Sequence, residues 1–386
     1  MFNREPLVRS IAGSRKILVG LTLAIAGILL SALQIYAGQG KVTPALYKVL
    51  APTTHDNLTV FPIVTDFNRD THSFLTLDEG LRSGQVVITE EGGSTGLVRP
   101  RPGVRPWPER PIPERRGHGG AQVNRLVLSN NSDRPLILLA GEIVTGGKQD
   151  RVVGKDRIIP AKADPVDLSV FCVEPHRWVE MSAHFGAFNF AMAQPSVRLR
   201  AMAVKDQGAV WDQVAKSRES VAAAVSPSAA RALAETSSYA RSFGNSVVQQ
   251  QVDGIAGPIE RSYDKLMSEL RAQHAVGAIV AVNGEIVWAD AFASTSLFNK
   301  YWPKLIRSYA AEAVSTPWHP LKMNTTPSTK GAQMFLDDLN ARSENVESEP
   351  GVYRNTELKG PDFDAFILAS LLPGTNFDVH VAKMRD

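Results

Sequence analysis

The chain has 386 residues and a mass of 41.9 kDa, with 44% hydrophobic and 21% charged residues. These proportions suit buried cores and exclude collagen, coiled coil, polytopic membrane protein and wholesale disorder. The net charge of +3 comes from the start, where Arg4, Arg9, Arg15 and Lys16 face one acid, Glu5; the neutral body offers no general attraction for nucleic acid.

Arg15-Lys16 leads into Ile17–Leu33, an apolar run between a secretory core and a minimal membrane span in length. Ile35-Tyr36-Ala37 before Gly38 offers a cleavage site. The expectation is a signal peptide or membrane anchor over 1–37, a linker over 38–57, and an exported (periplasmic or extracellular) or membrane-anchored body. Cys172 is the only cysteine, so no intramolecular disulfide forms and nothing is left to mispair in an oxidising compartment.

Leu58–Thr65 reads as a strand whose Pro62 suits an edge. Thr76–Ser83 opens as a helix with acids in its first turn, and Val86–Thr89 is a strand. Gly92–Gly120 then carries six of the 24 prolines and six arginines. Such a segment buries too little to offset its ordering entropy, so a disordered insert over 92–120 is expected, open to docking by a partner. Asn124–Leu128, Leu136–Val144, Arg151–Ala161 and Val166–Glu174 are β-rich runs separated by polar turns. Ser196–Val204, Val210–Arg218 and Gly257–Ala272 read as helices, with Ser217–Val252 as polar helix and connector. Ala278–Phe292 is a hairpin about Asn283-Gly284, the pair favoured in type I′ turns. Leu297, Phe298, Tyr301, Trp302, Leu305 and Tyr309 follow at helical spacing as core residues, with a kink or late start at Pro303. Asp364–Leu372 and Phe377–Ala382 close the chain as strand-like runs. Strands cluster and helices cluster, which gives an α+β fold with an antiparallel or mixed β-rich core and helices packed on it. The domain is expected over 58–320, with 321–386 as an extension packed upon it.

Chemistry concentrates in two stretches. An apolar strand delivers Glu142 and breaks at Gly146-Gly147, after which Gln149 and Arg151 re-emerge two apart, on one face of a following strand. Glu142 and Arg151 are thereby expected to face each other across a hairpin, pairing through the guanidinium fork. The stretch lacks the GxxxxGK[ST] pattern of a phosphate loop. Downstream, Cys172, Glu174 and His176 fall on one strand face, with Arg177 beside them. A thiol, an acid and an imidazole in reach would make a nucleophile site, although inert burial is the commoner fate of a cysteine. No zinc spacing, nucleophile elbow, HExxH or kinase set is present, and no metal or cofactor is expected.

GEIVTGGKQDR followed by CVEPHRW resembles the bacterial and archaeal domain of unknown function named for its association with ADP-ribosylglycohydrolase and rhodanese-phosphatase proteins. The resemblance runs from about Leu58 to Val314, is interrupted by the proline/arginine insert, and is most specific at the GExxxGGxQxR-like core. Asp150 stands where asparagine is expected, and His176 where glycine is commoner. The resemblance implies a fold and a shared pocket, and no activity.

Three readings follow. The first is a binding module in which Glu142, Gly146, Gly147, Gln149, Arg151, Glu174 and Arg177 hold a small anionic or nucleotide-like ligand, arginine taking the anion. The second is a metal-independent hydrolase with Glu142 or Glu174 as general base and Arg151 stabilising developing charge. The third is a structural corner, since buried ion-paired networks look the same in sequence.

Overall fold

A computed structural model describes residues 47–90, 125–177, 181–269, 273–316 and 327–385. Strands β1 (Tyr47–Val49) and β2 (Thr53–His55) precede β3 (Leu58–Thr65), which is buried throughout. β3 is an inner strand, not an edge, with β1 and β2 on one side and β13 (His274–Val282) on the other. Pro62 is tolerated there because β1 pairs with residues 63–65 and β2 with 58–60. Its missing N–H falls where the partner changes, and its carbonyl accepts from the Leu50 N–H at 2.9 Å.

β4 (Leu75–Thr76) runs into helix α1 (Leu77–Arg82), which a Thr76–Glu79 capping box starts. β5 (Val86–Glu90) pairs with β6 (Arg125–Asn130). The run read as one strand from Leu136 is two, β7 (Leu136–Leu138) and β8 (Glu142–Thr145). The break is Gly141 at φ +96°, where a Cβ would lie 2.7 Å from the Arg198 side chain. β9 (Arg151–Val153), β10 (Arg157–Ile159), β11 (Val166–Cys172) and β12 (Gly186–Met192) complete this part. They form a six-stranded sheet, β12-β8-β9-β11-β6-β5, and a small sheet, β10-β7-β4.

Helices α2 (Pro195–Leu199), α3 (Gln207–Ala224), α4 (Pro227–Ala234), α5 (Tyr239–Phe243) and α6 (Ser246–Glu269) follow, with a π-helical turn, Arg200–Val204, after α2. The helix read from Gly257 begins earlier, at Ser246, and runs through Pro258. β13 returns to β14 (Glu285–Phe292) through Asn283 and Gly284, both left-handed at φ +50° and +81°. Helix α7 (Thr295–Ser315) continues through Pro303, and its aromatics are core as read: Tyr263 of α6 lies 4.5 Å from Trp302, and Phe292 lies 5.3 Å from Tyr301.

Helix α8 (Thr329–Asp337) leads to β15 (Ser343–Glu349), β16 (Tyr353–Lys359), β17 (Phe363–Ser370) and β18 (Asp378–Arg385). These strands are no appended extension: β18 lies between β14 and β17 in the largest sheet, ordered β1-β3-β13-β14-β18-β17-β16-β15. Residues 47–55, read as linker, supply its other margin. Both stretches were hard to read because three-residue strands and the polar run SENVESE carry no apolar alternation. The fold is α+β, with antiparallel sheets and helices packed on them. The N-terminal apolar run and the 92–120 insert lie outside the described residues. Among the described residues, no helix is long and apolar enough to cross a membrane.

Candidate functional site

The turn from β8 to β9 gathers most of the expected residues. Gly146 and Gly147 adopt φ of +128° and +48°, and a Cβ on Gly147 would meet the Phe185 ring at 2.3 Å. These glycines therefore serve close packing of the turn. Beyond them the Lys148 N–H donates to Glu90 Oε1 at 2.8 Å, and the Gln149 amide donates to the Glu174 carbonyl at 3.1 Å. The Asp150 N–H donates to Glu174 Oε2 at 3.2 Å. Arg177 closes the cluster, 2.6 Å from Glu174 Oε2, 3.4 Å from Asp150 Oδ1 and 3.1 Å from the Gly147 carbonyl. Ser238, at the start of α5, donates to Asp150 Oδ2 at 2.8 Å. Arg151 is wholly buried, with Glu90 Oε1 at 3.9 Å.

The electrostatics follow from burial. Desolvation pushes the Asp150 carboxyl up, reinforced by Glu174 and opposed by Ser238, Gly146 and Arg177. Burial lowers the Arg151 guanidinium, with Cys172 and Glu90 acting against it. Burial also acts to lower Arg177, but Glu174 and Asp150 outweigh it and raise the group.

Two expectations fail. Glu142 does not pair with Arg151: in the β8–β9 register Val144 faces Arg151, which puts Glu142 two positions further along the ladder. Its carboxylate turns to α7 instead, with Lys304 at 2.5 Å on Oε1 and the Leu139 N–H at 2.7 Å on Oε2. Lys304 also holds Asp78, at 2.9 Å. Burial opposes the charge on Lys304, yet Glu142 and Asp78 raise it. The thiol–acid–imidazole face does not form either. β11 ends at Cys172, and His176 lies exposed in the following turn at φ +72°. Cys172 is buried, its thiol pushed up by desolvation, and its N–H and carbonyl are clamped by the Gln207 amide at 2.8 and 2.9 Å.

Sequence reasoning missed Glu90, which arrives at the turn from the end of β5. It also missed a second polar cluster, wholly buried, joining β14, α2, α7 and β18. Arg198 donates to both oxygens of Asp290, at 2.8 and 2.9 Å, and Tyr309 adds a third bond at 2.5 Å. His380 bridges Asp290 at 3.1 Å and Asp156 at 2.6 Å. A charged residue inside the apolar run Trp288–Phe292 was the available signal. Among the described residues, no group of three or more His, Cys, Asp or Glu side chains is arranged to hold a metal ion.

A family model, the ARG and Rhodanese-Phosphatase-superfamily-associated Protein domain (ARPP-1), matches residues 46–382. The chain belongs to this family. The ARPP-1 match extends beyond the stretch from Leu58 to Val314 at both ends, taking in β1, β2 and the C-terminal strands. It thus covers the polar turn and the buried cluster alike. No curated protein and no solved structure matches the chain.

Proposed function

We propose that this ARPP-1 domain is a non-catalytic binding module for a small anionic or nucleotide-like ligand. The ligand sits beside the Gly146–Gly147 turn against Gln149, Arg151, Glu174 and Arg177. One observation carries the reading: Glu90 Oε2 and Gln149 Oε1, both buried at this turn, have no hydrogen-bond partner among the described residues. A buried acceptor left in that state costs about 1–3 kcal/mol. A donor such as a nucleobase amine or ring N–H relieves that cost, while the neighbouring guanidiniums suit an anionic group.

The hydrolase reading is weaker. Glu142 is removed from the turn with both oxygens hydrogen-bonded, which leaves Glu174, itself held at 2.6 Å by Arg177. That same short contact favours a structural corner as the second reading. Thermal shift of the full-length chain against nucleotides, sugar phosphates and simple anions separates the two. A nucleotide at a hundredfold its Kd should add about 2.7 kcal/mol, and Arg151→Ala and Gln149→Leu should abolish that gain. A large stability loss in Arg151→Ala, with no compound stabilising the wild type, would retire the binding reading.

We further propose export, or anchoring at the membrane, through residues 1–37; the basic start followed by Ile17–Leu33 supports this. Fractionation should place the protein in envelope or membrane fractions. Recovery of the intact chain wholly from the cytosol would overturn it.

A further inference from the structure

Towards the other end of the β9–β11 ladder lies a cleft of about 500 Å³, with Lys155, Arg157 and Lys205 among its lining residues, a size suited to a small molecule. Phe171, Met202 and Phe366 add apolar lining, and Asp156 and Asp167 line it as well. One wall is the β15–β16 hairpin, whose register sets Asn345 opposite Glu357 and Glu347 opposite Asn355. Directly opposed residues of an antiparallel pair share a face, so these four polar side chains stand on one surface.

Two of the cleft's ion pairs share an asymmetry that the third, Lys205–Glu357, reverses, its cation 51% exposed against 11%. Lys155 pairs with Glu347, and Arg157 with Glu349 at 3.7 Å. In each, the cation is the more buried member, 25% exposed against 63% and 19% against 42%. Exposed ion pairs contribute about 0–1 kcal/mol, so the glutamates can swing into water while the cations stay in the cleft. The Arg157 Nε is buried and has no hydrogen-bond partner among the described residues. Lys155 and Arg157 also lie over the same ring, Tyr353, at 5.8 and 5.9 Å.

The opposite wall has an irregular backbone. The π-helical turn ends with the Lys205 N–H donating to the Arg200 carbonyl at 2.9 Å, and Lys205 is itself left-handed at φ +56°. A π-turn is uncommon and is found frequently at functional sites, and the left-handed Lys205 is its C-cap. The turn sets Lys205 at the rim, 2.5 Å from Glu357.

We propose that this cleft binds a small polyhydroxylated molecule carrying one phosphate or carboxylate. Lys155 and Arg157 hold the anionic group, the Asn345–Glu357 wall holds the hydroxyls, and Glu347 and Glu349 stand in for the anion when the cleft is empty. The proposal is independent of the polar turn.

The test is calorimetric titration of the full-length chain at low salt with glucose 6-phosphate, gluconate and uncharged glucose. At least one acidic probe should bind tenfold or more tightly than glucose, and which one does so distinguishes phosphate from carboxylate. Arg157→Met and Lys155→Met should each weaken it about tenfold, as loss of a charge-assisted bond implies. The double variant Glu347→Gln/Glu349→Gln should bind several-fold more tightly, because the internal competitors are gone. These acids are exposed, so that variant also guards against misfolding as the cause of a negative result. If neither acidic probe binds the double variant, or glucose binds as well as they do, the proposal falls. Binding lost in Arg151→Ala but kept in Arg157→Met would assign the probe to the polar turn and likewise overturn it.

Discussion

Replacing Asp290 with asparagine should destabilise the domain by about 3–5 kcal/mol, the usual cost of removing one partner from a buried ion network. Asp290 is fully buried and accepts from Arg198, Tyr309 and His380. Burial works against its charge, but Arg198 and His380 hold the carboxyl well below the usual carboxylate range. Asparagine keeps the size and one acceptor, and turns its amide hydrogens towards groups that are themselves donors. His380 would keep Asp156, and Arg198 would keep its contact at 4.2 Å over the Trp288 ring but lose its carboxylate partner. Urea melts of the full-length chain provide the measurement. Asp253→Asn is the control: Asp253 pairs with Arg307 on the surface, each about half exposed, and its loss should cost no more than about 1 kcal/mol. A similarly small loss for Asp290→Asn would show that the cluster is not ionic. Adding Arg198→Met to Asp290→Asn should cost less than the two changes summed, since one interaction cannot be lost twice.

What could be read from the sequence was local. β3, the Asn283-Gly284 hairpin and the aromatic stripe of α7 each carry their signal within a few residues, as apolar runs, turn chemistry or period. The polar turn was legible because GGKQDR and CVEPHR lie close in sequence and β9 pairs with β11. Its other partner, Glu90, was not, because it returns from across the insert. Glu142 was misread for the same reason, since Lys304 lies 162 positions away. Spacing on a hairpin supplied Arg151 as the nearer partner, and the register excluded it. The Asp156–His380–Asp290–Arg198 cluster is the extreme case: residues from separate parts of the chain meet only once the sheets assemble. Nothing local to His380 shows that both sides of its ring will face a carboxylate.

That placement of His380 makes the domain's stability fall as the pH rises from neutrality. Nδ1 lies 2.6 Å from Asp156 and Nε2 3.1 Å from Asp290, so both nitrogens must donate and the ring is an imidazolium. Burial acts to lower its pKa, but Asp156 and Asp290 outweigh burial and raise it from 6.5 to about 9. A group raised on folding gives its full contribution below the unfolded value and loses it as pH climbs through the folded one. The shift corresponds to about 3 kcal/mol, present near pH 6 and lost beyond pH 9, with roughly half already gone by pH 8. Lys383 acts in the opposite sense. Burial lowers it from 10.5 to about 8, so the unfolded chain holds more protons above pH 8 and that residue adds stability there. Between pH 6.5 and 8 the loss at His380 outweighs the opposing rise from Lys383, which is only beginning there. Asp378, raised by burial to about 6, titrates below that window. Urea midpoints taken at intervals across it should decline steadily for the wild type. His380→Gln, weaker throughout, should lose that decline over the same range and keep at most the slight rise from Lys383. A wild-type midpoint that holds level from pH 6.5 to 8 would mean that His380 is neutral in the folded protein and that the carboxylates beside it are satisfied by other donors.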